Sequence, residues 1–371
     1  MAYNRKQRLN NNIKAIETAF ILDREQRTPT ARERLLLERY CGFGGLKCIL
    51  NPARELADAV HWAKSDLELF APTVELHRLI RENSKNESEY KQLMDSLKQS
   101  VLTAFYTPSA VTEVLTDVLK EHQIIPEKVL EPSAGIGAFV DSVLDNNPKA
   151  DIMAFEKDLL TGKILRHLHP EQKVRIEGFE KIEKPFNDYF DLAISNIPFG
   201  DVAVFDPSYT AMKGMRALVT RRIHNYFFVK ALDTVRDGGL VAFITSQGVL
   251  NAKNNSAARF MMLYHADLVS AIRLPNNLFT ENANTEVGSD LIILQKNTKK
   301  ESLRGDDNLL DTVYNDENRI PTNNYFLEHP ERIIHTTAKL DTDPFGKPAM
   351  IYTHEDGVEG IAEDLRKKLH E

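Results

Sequence analysis

The decapeptide Asp191-Leu192-Ala193-Ile194-Ser195-Asn196-Ile197-Pro198-Phe199-Gly200 runs an apolar strand into Asn196-Ile197-Pro198-Phe199. Residues of these types in this order can hold a planar amine. An exocyclic amine on a nucleobase has its lone pair delocalised into the ring, so it attacks an electrophile only when acceptors draw on its hydrogens. The side-chain oxygen of Asn196 and the backbone carbonyl of Ile197 supply two acceptors, and Pro198 fixes the turn. Phe199 adds a flat face for stacking. The carboxyl end of a strand is also where open α/β sheets place their ligands. Taken alone, the same residues read equally as a strand closed by a Pro-Phe turn.

A second constellation lies upstream. Glu131-Pro132-Ser133-Ala134-Gly135-Ile136-Gly137-Ala138-Phe139 joins a short strand to a helix through a Gly-x-Gly turn, which lets a ligand approach the backbone closely. Val140 stands where a dinucleotide fingerprint needs a third small residue, which disfavours a nicotinamide or flavin. The next strand ends in Glu156, an acid placed to hydrogen-bond a ribose diol. Turn and acid together suit any cofactor that contains a nucleoside.

From Thr103 onward the chain alternates short strands and helices, the pattern of a mostly parallel sheet with helices on both faces. Strands are expected at 129–131, 152–155, 173–177, 191–195, 240–245, 267–273 and 290–296. Helices are expected from Pro108 with Thr107 as cap, from Ala138, near 158–168, over 223–236 with a stop at Asp237-Gly238-Gly239, and near 256–264. Before this unit, residues 1–100 read as a helical region, with the glycine-rich Cys41-Gly42-Phe43-Gly44-Gly45 as a turn between helices rather than a phosphate loop. After it, residues 298–371 read as a looser acidic appendage ending in a helix at 357–370.

The composition, 42% hydrophobic and 27% charged over 371 residues, is that of an ordinary globular protein with two or three units. No secretory leader or membrane-length apolar run stands out, and Cys41 and Cys48 have no metal-ligand spacing. A reducing cytoplasm, no membrane and no metal are the expectation. The net charge of −7 is unevenly spread: residues 301–371 carry 8 Lys+Arg against 16 Asp+Glu. Between Pro207 and Leu232 there is no acidic residue, while Lys213, Arg216, Arg221, Arg222 and Lys230 follow the Asn-Ile-Pro-Phe loop. Such a stretch can grip a phosphate backbone, or form a solvated helix face.

Phe105-Tyr106-Thr107-Pro108, the Glu131-to-Phe139 turn, Glu156 and Asn196-Ile197-Pro198-Phe199, in that order, resemble the S-adenosylmethionine-dependent adenine-N6 DNA methyltransferases of the gamma arrangement. Ala271-Ile272-Arg273-Leu274-Pro275 and Gly288-Ser289-Asp290-Leu291-Ile292-Ile293-Leu294 are similar to strands of restriction-system modification subunits. The resemblance covers about residues 101–297. The N-terminal glycine-rich segment is similar to that of methylase-helicase proteins of bacterial mobile elements. The family implies a Rossmann-like, seven-stranded α/β methyltransferase sheet. It also implies that Tyr106, Thr107, Glu131, Ala134, Gly135, Gly137, Glu156 and Phe179 bind S-adenosylmethionine, and that Asn196, Ile197, Pro198 and Phe199 hold a flipped adenine. Lys213, Arg216, Arg221 and Arg222 would face double-stranded DNA, with a helicase or specificity partner in attendance. Two departures stand out: Ile197 where the family usually has Pro, and Gly178 where it usually has an Asp that binds the cofactor's adenine amine. Methylation of an RNA base or a protein glutamine, or cofactor binding without catalysis, are the alternatives.

Overall fold

The computed structural model describes residues 4–103, 106–212, 214–280, 286–303, 305, 307–314, 320–343 and 346–371, with the side chains of 102 and 103 left aside. Phe105 and Lys213, both singled out from the sequence, lie outside the described residues.

Seven strands build one sheet in the spatial order β3-β2-β1-β4-β5-β7-β6. They are β1 (Lys128–Glu131), β2 (Asp151–Phe155), β3 (Lys173–Arg175), β4 (Phe190–Asn196), β5 (Val235–Ser246), β6 (Ala266–Leu274) and β7 (Ser289–Lys296). β7 runs antiparallel to both β5 and β6. The central strands read as continuous apolar runs because both of their faces are covered, as Leu240–Ile244 in β5 shows. The chain winds outward from β1 through β2 to β3, then returns to β4 on the other side of β1. This reversal puts the carboxyl ends of β1 and β4 side by side, the switch point at which open α/β sheets bind their ligands.

Helices α5 (Ser109–Glu121) and α6 (Ala138–Asn146) cover one face, through Val111, Leu115, Phe139 and Val143. Helices α10 (Ile223–Thr234) and α12 (Ser256–His265) cover the other, through Tyr226, Phe228, Met262 and Leu263. Two local expectations are corrected. Ser109 opens α5 and Pro108 is its cap residue, while the buried Thr107 hydroxyl bonds to nothing among the described residues. Helix α10 stops at Thr234 rather than at the Asp-Gly-Gly, because Val235 is fully buried and already pairs with Phe190. Gly238 and Gly239 form an irregularity inside β5, where the register with β4 shifts between Phe190 and Leu192.

The flanking regions are not detached. Helices α1 (Arg5–Glu25), α2 (Ala31–Leu37), α3 (Phe70–Glu82) and α4 (Glu87–Thr103) share a core with Leu160, Ile164 and Leu168 of α7 (Leu159–Leu168), the helix after β2. Burying each such side chain contributes about 1.5–3 kcal/mol. The glycine turn between α2 and α3 is anchored from both sides: Asn12 Nδ2 donates to Gly42 O (2.6 Å) and Phe43 N donates to Ser100 Oγ (3.1 Å).

The acidic tail likewise enters both cores rather than forming a loose appendage. Leu309, Tyr325 and Phe326 pack beneath α10 and α12, and Ile361 and Leu365 of the helix Gly357–His370 pack with α5. Arg366 clasps Asp117 (2.8 Å) and Glu121 (2.5 Å) across that junction. The tail also forms two small antiparallel pairs, Thr312–Tyr314 with Pro321–Asn323 and Thr337–Thr342 with Pro348–Thr353, that the sequence reading did not anticipate. No helix among the described residues is long and apolar enough to cross a membrane.

Candidate cofactor and amine site

Glu131 ends β1 and is 1% exposed, and its Oε1 accepts the Ser133 N–H (3.2 Å). The chain then turns through Gly135 (φ 57°) and Gly137 (φ 98°), conformations that favour glycine. Space is as restrictive as backbone angle. A Cβ on Gly135 would lie 2.7 Å from Cε1 of Tyr106, and one on Gly137 would lie 2.5 Å from Nε2 of His169. Tyr106 therefore covers the turn, and the two segments that the sequence singled out separately meet here. Ala134 N donates to Phe155 O (2.9 Å), which fixes the turn against the end of β2.

Glu156 completes the cradle. Its Oε2 accepts the Gly135 N–H (2.8 Å) and its Oε1 accepts the Asp158 N–H (2.7 Å). With the Lys157 N–H donating as well, the carboxylate keeps an acceptor position for a further donor such as a hydroxyl. Burial pushes the Glu156 carboxyl up to about 8, with the neighbouring Asp158 charge adding to it and the three backbone N–H groups of Asp158, Gly135 and Lys157 opposing it. Burial also pushes Glu131 up to about 8, opposed by the Ser195 hydroxyl and the Ser133 N–H and reinforced by Glu156. The pair forms an acidic, poorly solvated floor that a cation would stabilise in its ionised form.

The N-terminal helices buttress this rim. Ser96 of α4 donates to Asp158 Oδ2 (2.6 Å) and accepts the Leu160 N–H (3.0 Å), and Tyr40 contacts the Thr161 hydroxyl (3.3 Å).

Asn196 is the last residue of β4, paired in register with Ile244. Ile197 departs from the family pattern for a visible reason. Its N–H donates to Ile244 O (3.0 Å), a bond that proline could not make, and its side chain is 1% exposed in the aromatic core. The residue is anchored by packing where proline would be anchored by its ring. Phe199 is half-buried and meets Phe279, from the turn after β6, edge to face at 6.2 Å. The loop thus leans from β4 across the ends of β5 and β7.

Two sequence expectations fail here. Phe179 is 1% exposed and packs among Phe155 (5.8 Å), Phe227 (5.3 Å) and Tyr226 (6.5 Å), so its ring belongs to the core and has no face for a cofactor. The basic stretch is also largely neutralised. Arg216 makes a two-pronged ion pair with Asp233 (2.6 and 2.9 Å), Arg222 pairs with Asp201 (2.8 Å), and the buried Lys230 pairs with Asp206 (3.1 Å). Arg221 is exposed and forms no ion pair among the described residues. The partners Asp201, Asp206 and Asp233 flank the acid-free window, so a count within it could not reveal them.

One residue escaped the sequence reading. The turn Phe179–Lys181 folds Glu180 back over Gly178, so that a Cβ there would lie 2.1 Å from Oε2 and 2.5 Å from Oε1 of Glu180. The Glu180 carboxylate occupies the place of the side chain that Gly178 lacks. It reaches toward the Glu156 rim, with Lys157 Nζ 3.8 Å from Oε1. Among the described residues, no group of three or more His, Cys, Asp and Glu is arranged to hold a metal ion.

The sequence matches the family model described as N-6 DNA Methylase over residues 88–352. The chain belongs to the N-6 DNA Methylase family. Two curated relatives align with it. Defense against restriction protein B of Escherichia phage P1 is 29% identical over 201 residues, which is 53% of this chain and 8% of that protein. Type II methyltransferase M.XamI of Xanthomonas campestris pv. amaranthicola is 25% identical over 173 residues, 43% of this chain and 33% of that protein. The chain thus spans a third or less of the length of either relative. Among solved structures, a protein described as a modification subunit of a type I restriction enzyme from Vibrio vulnificus YJ016 superposes with a TM-score of 0.46 at 14% identity, covering 93% of this chain and 89% of that one. N-6 DNA Methylase membership brings S-adenosylmethionine as cofactor.

The residues fit that cofactor. The glycine turn has no space for side chains, Glu156 offers acceptors for a diol, Glu131 and Glu156 favour a cation, and the buried Thr107 Oγ1 lacks a partner among the described residues.

Proposed function

We propose that the chain transfers the methyl group of S-adenosylmethionine to the exocyclic N6 amine of adenine in double-stranded DNA, after the base has been flipped out of the helix. The observation that carries this reading is the pairing of β1 with β4. It sets the Gly135–Gly137 turn beside Asn196-Ile197-Pro198-Phe199 at one sheet end. S-adenosylmethionine, when bound, supplies a sulfonium-activated methyl, so no covalent enzyme intermediate is required. The protein's work is alignment.

In this reading Glu156 accepts the ribose hydroxyls, Glu131 and the turn Ala134–Gly137 form the cradle, and Tyr106 and Thr107 close its methionine side. Glu180 takes the cofactor's adenine amine in place of the absent aspartate. Asn196 Oδ1 and the Ile197 carbonyl draw on the two hydrogens of the target amine and turn its lone pair outward. The face of Phe199 offsets part of the cost of unstacking, a few kcal/mol. Arg221 is the described cation of the basic stretch with charge to spare for phosphate, and the ion-paired Arg216 and Arg222 lie beside it in the sequence.

The names of the relatives, one for defence against restriction and one for type II methylation, support a DNA substrate. A helicase or specificity partner would select the target. The test is radiolabelled methyl transfer offered in parallel to duplex DNA, RNA and a protein extract. Label in DNA that is lost in Asn196→Ala, with cofactor binding retained, is the expected result. Label in RNA or protein alone would replace the reading.

A further inference from the structure

Beyond Asn196 the sheet rim holds a polar side chain that none of these roles uses. Strand β5 passes Ile244, the partner of Asn196 and Ile197, and three residues later reaches Gln247. Its backbone N–H donates to Gly288 O (3.1 Å), which ties it to the start of β7. Its carboxamide lies directly over Gly288: a Cβ there would come within 2.4 Å of Cδ and 2.5 Å of Nε2. The Nε2 atom is buried and meets no acceptor among the described residues, as do the nearby hydroxyls of Thr245 and Ser289 meet no partner. A buried donor left unmatched costs about 1–3 kcal/mol, and a fold that keeps one invites the question of what completes it.

The position answers that question. Phe199 and Phe279 touch across this rim, one from the loop after β4 and the other from the turn after β6, and the ends of β5 and β7 lie between those strands. Gln247, one residue past the end of β5 and tied to the start of β7, therefore lies on the stretch of rim between the two elements that carry Phe199 and Phe279. In the proposed reading Asn196 Oδ1 and the Ile197 carbonyl are both taken up by the two N–H groups of the amine. A base held there still presents ring nitrogens beside its amine, which need a donor.

We propose that Gln247 reads the ring edge of the target adenine, donating from Nε2 to N1 or N7, with Gly288 as the gap that lets its carboxamide lie there. This rests on the adenine methylation proposed above. It makes Gln247 a residue that registers the base's ring edge rather than one that activates the amine.

The test compares kcat/KM on synthetic duplexes carrying adenine, 1-deazaadenine or 7-deazaadenine at the methylated position. The wild-type chain should lose about tenfold on one of the two analogues, the worth of an ordinary hydrogen bond. Gln247→Met, which keeps the length and removes the donor, should lose about tenfold on adenine and show no further loss on that analogue. Gly288→Ala should reproduce this by displacing the carboxamide, and thermal unfolding of both variants verifies that they fold. Wild-type protein indifferent to both analogues, or Gln247→Met with undiminished sensitivity, overturns the inference while leaving adenine methylation intact. Absence of methyl transfer by the wild-type chain to any adenine overturns both.

Discussion

Gly178 and Glu180 offer a sharp test because two positions compete for one space. The family pattern suggests that restoring an aspartate at 178 should improve cofactor binding, whereas the structure gives a different result. A Cβ at 178 falls 2.1–2.6 Å from the Glu180 carboxylate, so an aspartate there must eject it, and both carboxylates cannot occupy the slot. Removing Glu180 alone deletes a hydrogen bond from a charged acceptor, worth about 1.5–3 kcal/mol, or roughly 10- to 150-fold in Kd. Glu180→Ala should weaken S-adenosylmethionine by that factor in calorimetric titration. Its unfolding midpoint should barely move, since among the described residues its carboxylate's ion pair is a 3.8 Å contact with the exposed Lys157. Gly178→Asp in the wild-type background should fail to tighten binding. In the Glu180→Ala background the same substitution should recover most of the loss, so its sign of effect depends on residue 180. Wild-type affinity in Glu180→Ala, or equal gains from Gly178→Asp in both backgrounds, would refute the shared slot.

Further predictions concern the acids and the strand end. Glu131 and Glu156 have carboxyls raised from about 4.5 to about 8, so their neutral forms favour the folded state. The stability they lend is present in full below about pH 4.5 and is lost as pH rises toward 8, which thermal unfolding should show as a falling midpoint across that window. A cationic cofactor favours the ionised forms, so the stabilisation it confers should grow over the same range; a pH-independent gain would show that these acids do not face its charge. Ile197→Pro, although it moves toward the family pattern, removes the 3.0 Å bond to Ile244 O and a buried branched side chain. It should cost about 2 kcal/mol or more in denaturant unfolding. An unchanged midpoint would mean that Ile197 is not anchored as described.

The sheet was legible because its strands are covered on both faces and so read as apolar runs separated by helical periodicity. The strand-end turns were legible too, since Gly135, Gly137, Glu156 and Asn196 are placed by local turn chemistry at strand ends. What sequence could not show depended on contacts between distant segments. Glu180 fills the slot of residue 178 only because a short turn folds it back. Arg216 and Lys230 lose their apparent availability to Asp233 and Asp206, which lie just outside the acid-free window. The tail looked loose because its apolar residues are sparse, yet Phe326, Ile361 and Leu365 reach two different cores. Phe179 looked like a ligand contact from its place in the family pattern, and tertiary packing claimed its ring instead.

In the proposed reaction the Asn196 carboxamide and the Ile197 carbonyl converge on one amine at the junction of β1 and β4. A crystal structure with duplex DNA and a cofactor analogue that cannot give up its methyl tests this directly. The expected result is an extruded adenine whose N6 lies within hydrogen-bond reach of both oxygens, with Phe199 against its ring. An adenine left in the helix stack, or an extruded base bound with N6 away from Asn196, would contradict it.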